Sequence, residues 1–137
     1  MACHGTKWRT TKHVTHDDEE APVLLTDKTA VISGAASARG IGRATAKLFA
    51  QHGARVAILD LDAAGAKAAA AELGEGHVGL GCDVADLNSC RHAAEGVIGA
   101  FGKVDILVNN AGISQPVKTM EITPADWQRI VDVNMTG

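Results

Sequence analysis

The sequence contains no tyrosine, and aromatic residues make up only 3% of it. No apolar run approaches the roughly 18 residues of a membrane span, so a membrane is not an expected partner. Charge of one sign is also missing: 13 basic residues face 16 acidic ones, for a net charge of −3 and a pI of about 6.0. That balance removes the simplest electrostatic case for a nucleic-acid partner. Cysteine is scarce: Cys3, Cys82 and Cys90 are too few and too scattered for a disulfide framework. Free thiols in a reducing compartment, the cytoplasm, are expected instead. What remains is ordinary: 137 residues, 46% apolar and 21% charged, suit one globular domain with a substantial core. Fifteen glycines suggest tight turns or close backbone approach to a ligand.

The first 26 residues differ from the rest. Lys7, Arg9 and Lys12 precede the acidic cluster Asp17, Asp18, Glu19 and Glu20, and Pro22 follows. There is no apolar segment of the secretory type, and the acidic cluster interrupts any resemblance to a mitochondrial presequence. Cys3, His4, His13 and His16 match no structural zinc spacing. Residues 1–26 are expected to be a disordered tail, and no metal site is expected.

From Asp27 onward the pattern is regular. Thr29 to Ser33 is a continuously apolar run ending at glycine, as a strand buried on both faces requires. Gly40 to His52 reads as a helix with Ile41, Ala44, Leu48 and Phe49 inward and Gly53 at its stop. Arg55 to Leu59 is a second strand, Ala63 to Leu73 an alanine-rich helix closed by Gly74, and His77 to Cys82 a third strand. Asp86 caps a helix in which Cys90, Ala94, Val97, Ile98 and Phe101 follow helical spacing and Gly102 ends the run. Val104 to Val108 is a fourth strand, and Thr123-Pro124 opens a last helix. Strict alternation of strand and helix demands a parallel sheet with right-handed crossovers. The expected fold is α/β, a Rossmann-like doubly wound parallel sheet of about four strands in the order 3-2-1-4. Such sheets bind ligands beyond the carboxyl ends of their strands.

The residues at those ends are distinctive. After the first strand comes Gly34-Ala-Ala-Ser-Ala-Arg-Gly40-Ile-Gly42. Glycines there let backbone approach a pyrophosphate at the positive end of the next helix, or they permit a tight helix-to-strand packing turn. The spacing departs from the strict G-x-G-x-x-G fingerprint. Asp60 stands 18 residues after Gly42, near the roughly 20 at which an acid reads an adenosine ribose. A carboxylate there repels a 2′-phosphate and favours NAD over NADP. Asp60 or Asp62 can equally cap the next helix. Asp83-Val84 follows the third strand, and Asn109-Asn-Ala-Gly112 the fourth, the latter a floor for a nucleotide or a turn chosen for its backbone. Asn134 shares a helical face with Trp127, Ile130 and Val131, so a buried amide needing partners is expected, most simply as a structural lock.

In this order and at these intervals, Ser33-Gly34…Gly40-Ile41-Gly42, Asp60, Asp83-Val84, Asn109-Asn110-Ala111-Gly112 and Asn134 resemble the short-chain dehydrogenase/reductase family. The resemblance covers Asp27 to Gly137. It implies that Gly34, Ser37, Arg39, Gly40, Ile41 and Gly42 form the pyrophosphate turn and that Asp60 holds the adenosine ribose. It further implies that Asp83 and Val84 flank the adenine and Asn110 lies near the nicotinamide-side ribose. Asn134 is then the helix asparagine that helps hold a water in the proton relay. The implied reaction moves a hydride between NAD(H) and a small-molecule secondary alcohol or ketone. A homo-oligomer is implied for the complete protein.

There are departures. Five residues, Ala35 to Arg39, separate the first two motif glycines where the family usually has three. The enoyl-reductase branch shows a similar lengthening but lacks the Asn-Asn-Ala-Gly turn. Arg39 occupies a position where NADP-preferring members carry a base, so NADP stays possible beside NAD. The family's Ser, Tyr and Lys catalytic groups follow the helix asparagine and are missing from these 137 residues. The expectation is therefore an amino-terminal, cofactor-binding half that is inactive alone. The alternatives are a non-catalytic nucleotide-binding module and an inactive truncated product. Of the residues present, only Ser114 to Thr119 are placed to touch substrate.

Overall fold

The computed structural model describes residues 23–137. The charged stretches of the amino terminus and the Cys3, His4, His13 and His16 set lie outside the described residues. The last positions of the expected tail do not hang free: the Leu25 amide donates to the His52 carbonyl at 2.9 Å, and Leu25 packs on the core.

Four parallel strands, β1 (Thr29–Ser33), β2 (Arg55–Asp60), β3 (Val78–Gly81) and β4 (Ile106–Val108), form one sheet in the order β3-β2-β1-β4. Val31 stands opposite Ala57 on one side and Leu107 on the other. The helices are α1 (Ile41–Gln51), α2 (Ala63–Ala71), α3 (Leu87–Phe101) and α4 (Pro124–Val131). The strand order and the alternation are those the sequence predicts, a Rossmann-like doubly wound sheet. Because successive strand residues face opposite ways, Ile32, Val56 and Ile58 pack under α1 and α2, while Val31, Ala57 and Leu59 pack under α3. Every residue of β1 is buried, which is why that strand carries no polar alternation.

Two helical faces differ from the periodicity reading. In α1 the inward residues are Gly42, Arg43 and Ala46, whereas Ile41 is 81% and Leu48 51% exposed. Small residues let this helix lie close to the strands, and Arg43 enters the interior because its Nη2 meets the Glu72 carboxylate at 2.6 Å. In α3 the inward stripe is Ala93, Val97 and Phe101, with Cys90 beside it, and Ala94 and Ile98 face out. The alanines of α2 have a partner in Gly79: a Cβ on that glycine would collide with the Ala66 carbonyl. Helix and edge strand therefore touch backbone to backbone.

The ends are placed by caps. Asp62 accepts from the Gly65 amide and Asp86 from the Asn88 amide, while Gly102 closes α3 in the left-handed conformation. Thr123 and Asp126 form a reciprocal capping box with Pro124 in the first turn. β4 begins at Ile106 rather than Val104, and Asp105 before it is tied to the start of β1 partly through its side chain. Its side chain accepts the Thr29 amide at 2.8 Å and its own amide donates to the Thr29 carbonyl.

His77 lengthens the ladder by one bond. Its Nδ1 accepts the Val56 amide at 3.0 Å, immediately before Val78 pairs with Ala57. Burial holds the imidazole pKa below its ordinary 6.5, and only the neutral ring can accept here. A lowered folded-state pKa means that the stability contribution is complete above about pH 6.5 and is lost as pH falls through the folded value. The His77→Leu variant should lose about 1 kcal/mol at neutral pH. It should also show a flatter loss of stability than the parent between about pH 7 and 5. Urea unfolding of both proteins at each pH measures this, and parallel pH profiles would contradict it.

Candidate functional site

The carboxyl ends of the strands open into a cleft of about 700 Å³. Its lining brings together Gly34, Ser37, Asp60, Asp83, Val84 and Asn110 from four separate strand ends. The remaining expected residues, Arg39, Gly40, Ile41, Gly42 and Asn134, do not line it.

The floor is a hydrogen-bonded joint between β1 and the turn after β4. The Asn110 side-chain amide donates to the Ser33 carbonyl at 2.8 Å and the Gly34 carbonyl at 3.0 Å. In return, the Ser33 hydroxyl oxygen accepts the Asn110 and Ala111 amides at 3.1 and 3.0 Å. Two glycines make this closeness possible. Gly34 has φ +65 and would place a Cβ 2.6 Å from the Ala111 Cα, while a Cβ on Gly42 would overlap the Asn110 side-chain nitrogen. Gly42 thus has a packing role that is independent of any ligand. Gly40 is less confined, the nearest atom to a Cβ there being the Ser37 carbonyl oxygen at 3.3 Å.

Beside this joint, α1 begins at Gly40 without a side-chain cap and with no acid in its first turn. By contrast, α2, α3 and α4 each receive a side-chain oxygen at the same place. A helix start of this kind leaves its first N–H groups to an anion. Asp60 ends β2 half-buried, and its two oxygens accept the Ala36 amide at 2.9 Å and the Asp62 amide at 3.1 Å. A carboxylate has about four acceptor sites, so lone pairs remain for two hydroxyl donors. Asp62, not Asp60, caps α2. Asp83 is fixed by its amide, which donates to the Ser89 hydroxyl at 2.9 Å, and by its carboxylate, which accepts the Ala85 amide at 3.0 Å.

Asn134 departs from expectation. It is exposed, as is Trp127 at 65%: α4 buries none of its residues, and the chain continues from it into a π turn over Asp132–Thr136. Its role as a lock is nevertheless visible. Its side-chain oxygen accepts the Ile113 amide and its nitrogen donates to the Ile113 carbonyl, both at 2.9 Å. Asn134 therefore clamps the segment after β4 to the end of α4. Gln128, Arg129 and Asp132 of this last region line the cleft, and the sequence carried no signal for that, since only the tertiary fold lays α4 beside the strand ends. Ser33, whose hydroxyl organises the floor, was legible only as a strand terminus. Among the described residues no helix is long and apolar enough to cross a membrane, and no cluster of metal-ligating side chains occurs.

Known proteins resemble this chain in sequence and in fold. Residues 34–137 match the family model described as enoyl-(acyl carrier protein) reductase. The chain is 66% identical over 119 residues to an uncharacterized short-chain type dehydrogenase/reductase of Sinorhizobium fredii, covering 84% of this chain and 47% of that protein. It is 45% identical over 116 residues to D-threitol dehydrogenase of Mycolicibacterium smegmatis, covering 82% of this chain and 44% of the relative. Among solved structures, the 3-ketoacyl-(acyl-carrier-protein) reductase of Brucella melitensis complexed with NADH superposes with a TM-score of 0.77 at 42% identity. That match covers 82% of this chain and 46% of that one. The chain spans about half the length of the curated relatives it matches. With its ordered strand-end motifs, its sheet order and these relatives, the chain belongs to the short-chain dehydrogenase/reductase family.

Proposed function

We propose that this chain forms the nucleotide-binding part of an oxidoreductase that moves a hydride between NAD(H) and a secondary alcohol or ketone in the cytoplasm. The observation that carries the reading is Asp60, held by two backbone amides with acceptor capacity to spare, in the lining of the strand-end cleft. A cleft of about 700 Å³ lies within the usual range for ligand sites of roughly 300–1,000 Å³. In this reading the Gly34–Gly42 turn, with Ser37, Arg39, Gly40 and Ile41, receives the pyrophosphate and Asp60 the adenosine ribose. Asp83 and Val84 flank the adenine, and Asn110 supports the nicotinamide-side ribose. The nicotinamide, when bound, supplies the hydride.

The chain's own residues then bind and orient. Asn134 acts through Ile113, fixing the Asn109–Ile113 turn, and its second N–H is available to a relay water. A proton donor at the substrate oxygen contributes roughly 10²–10⁴-fold, and the 137 residues contain no tyrosine to serve. The chain by itself is therefore expected to bind nucleotide without turning over alcohols. An enoyl-reductase-like activity is the second reading. It is favoured by the five residues between Gly34 and Gly40 and by the description of the matching family model. The Asn109–Gly112 turn and the D-threitol dehydrogenase likeness favour the alcohol or ketone.

Two measurements test this reading. Calorimetric titration should find NADH preferred over NADPH, and Asp60→Ala should shrink that preference by about 10- to 100-fold, the loss of a charge-assisted hydrogen bond. An unchanged ratio would remove Asp60 from the ribose. The two glycines separate packing from binding. Gly42→Ala should destabilise the fold by about 1–3 kcal/mol through its collision with Asn110. Gly40→Ala should melt near the parent temperature while weakening NADH. If Gly40→Ala binds NADH as the parent does, the turn is a packing feature only.

A further inference from the structure

Cys82 and Cys90 share one place in the fold although they sit on different elements. Cys82 follows β3, is 6% exposed and lines the cleft; Cys90 is half-buried near the start of α3. Both belong to the cluster beneath α3. The Cys90 sulfur also lies 3.6 Å from the carbonyl oxygens of Asp83 and Val84, to which its S–H donates. The segment that forms this wall of the cleft is thus wrapped around the Cys90 thiol. Burial, and then the adjacent Cys90 thiol, push the Cys82 pKa up to about 11, so Cys82 holds its proton at neutral pH.

We propose that Cys82 and Cys90 form a redox-active dithiol that a hydroperoxide closes to an intramolecular disulfide, reshaping the Asp83–Val84 wall of the cleft. The more open Cys90 sulfur attacks the peroxide O–O bond. One oxygen becomes a Cys90 sulfenic acid, and the other leaves as water with the thiol proton. The Cys82 sulfur then displaces the sulfenic oxygen, which departs as a second water with the Cys82 proton. Two thiols lose two electrons and one hydrogen peroxide becomes two waters. An S–S bond is about 2.05 Å long, so closure draws the end of β3 toward α3. It also removes the S–H donor from the Asp83 and Val84 carbonyls. The consequence for nucleotide affinity rests on the cofactor reading above; the disulfide itself does not.

The test uses the 137-residue chain carrying Cys3→Ser, treated with hydrogen peroxide, quenched by alkylation in denaturant and digested with trypsin. No Lys or Arg lies between Cys82 and Cys90, so one peptide holds both. That peptide should lose the mass of two hydrogens, resist alkylation, and stay joined after cleavage at Asp83 or Asp86. The Cys82→Ala variant should not form it and should instead carry Cys90 to the sulfinic acid. Oxidation of Cys90 beyond sulfenic acid in the Cys3→Ser chain, with Cys82 still alkylated, would overturn the dithiol. So would two cysteines that both remain free. In a second arm, NADH should bind the oxidised chain at least tenfold more weakly, with recovery in dithiothreitol. Equal affinity in both states overturns the effect on the cleft alone. Failure of the reduced chain to bind NADH overturns that effect together with the cofactor reading, whereas the peptide mass decides the disulfide independently.

Discussion

The architecture depends on the joint between Ser33 and Asn110. Parallel strands are not tied by a hairpin, so the ends of β1 and β4 are held together only by what crosses between them. Here one asparagine side chain donates to two carbonyls on β1, and one serine hydroxyl receives two amides from the turn after β4. Each group is part-buried, and losing either partner would leave the other's polar atoms unsatisfied, at about 1–3 kcal/mol apiece. The joint also sets the glycine pattern. Gly34 and Gly42 are required because the Asn109–Gly112 turn comes to within touching distance of both. Sequence features that look like two motifs are one contact viewed from its two sides.

From that joint the cleft follows. It holds the end of β1, from which the glycine-rich turn leads to Gly40, where α1 starts without a capping side chain. Asp60 is set by the same corner, since its carboxylate accepts the Ala36 amide from the glycine-rich turn. The acid and the turn are therefore positioned by each other. On the far wall, Asp83 is anchored to α3 through Ser89 and sits over the Cys90 thiol.

Legibility in the sequence followed how local each cause was. Strand ends, caps and helix stops depend on a few neighbouring residues, so Thr29–Ser33, Asp62, Asp86, Gly102 and the Thr123-Pro124 start were readable. Helix faces depend on what lies across the interface. Ile41 and Leu48 look like core by periodicity, yet Arg43 takes the inward place because Glu72, distant in sequence, meets its guanidinium. Asn134 stands out in the sequence as an amide on an apolar face, but that face is uncovered: α4 buries no residue, and Trp127 is exposed too. The cysteines looked scattered in sequence because only the turn from β3 into α3 brings them together. His77 likewise gave no signal, since its partner is an amide of another strand.

In the proposed function, the strand-end cleft is a dinucleotide site organised by Asp60 and the Ser33–Asn110 joint. Amide chemical-shift mapping of the 137-residue chain titrated with NADH tests it most directly. Saturable shifts are expected at Ala36, Gly40 to Gly42, Asp60 to Asp62, Asp83 to Ala85 and Asn110 to Gly112, with the far ends of the strands unmoved. Shifts confined to α2, to the amino ends of the strands or to the exposed face of α4, with these residues silent, would contradict it.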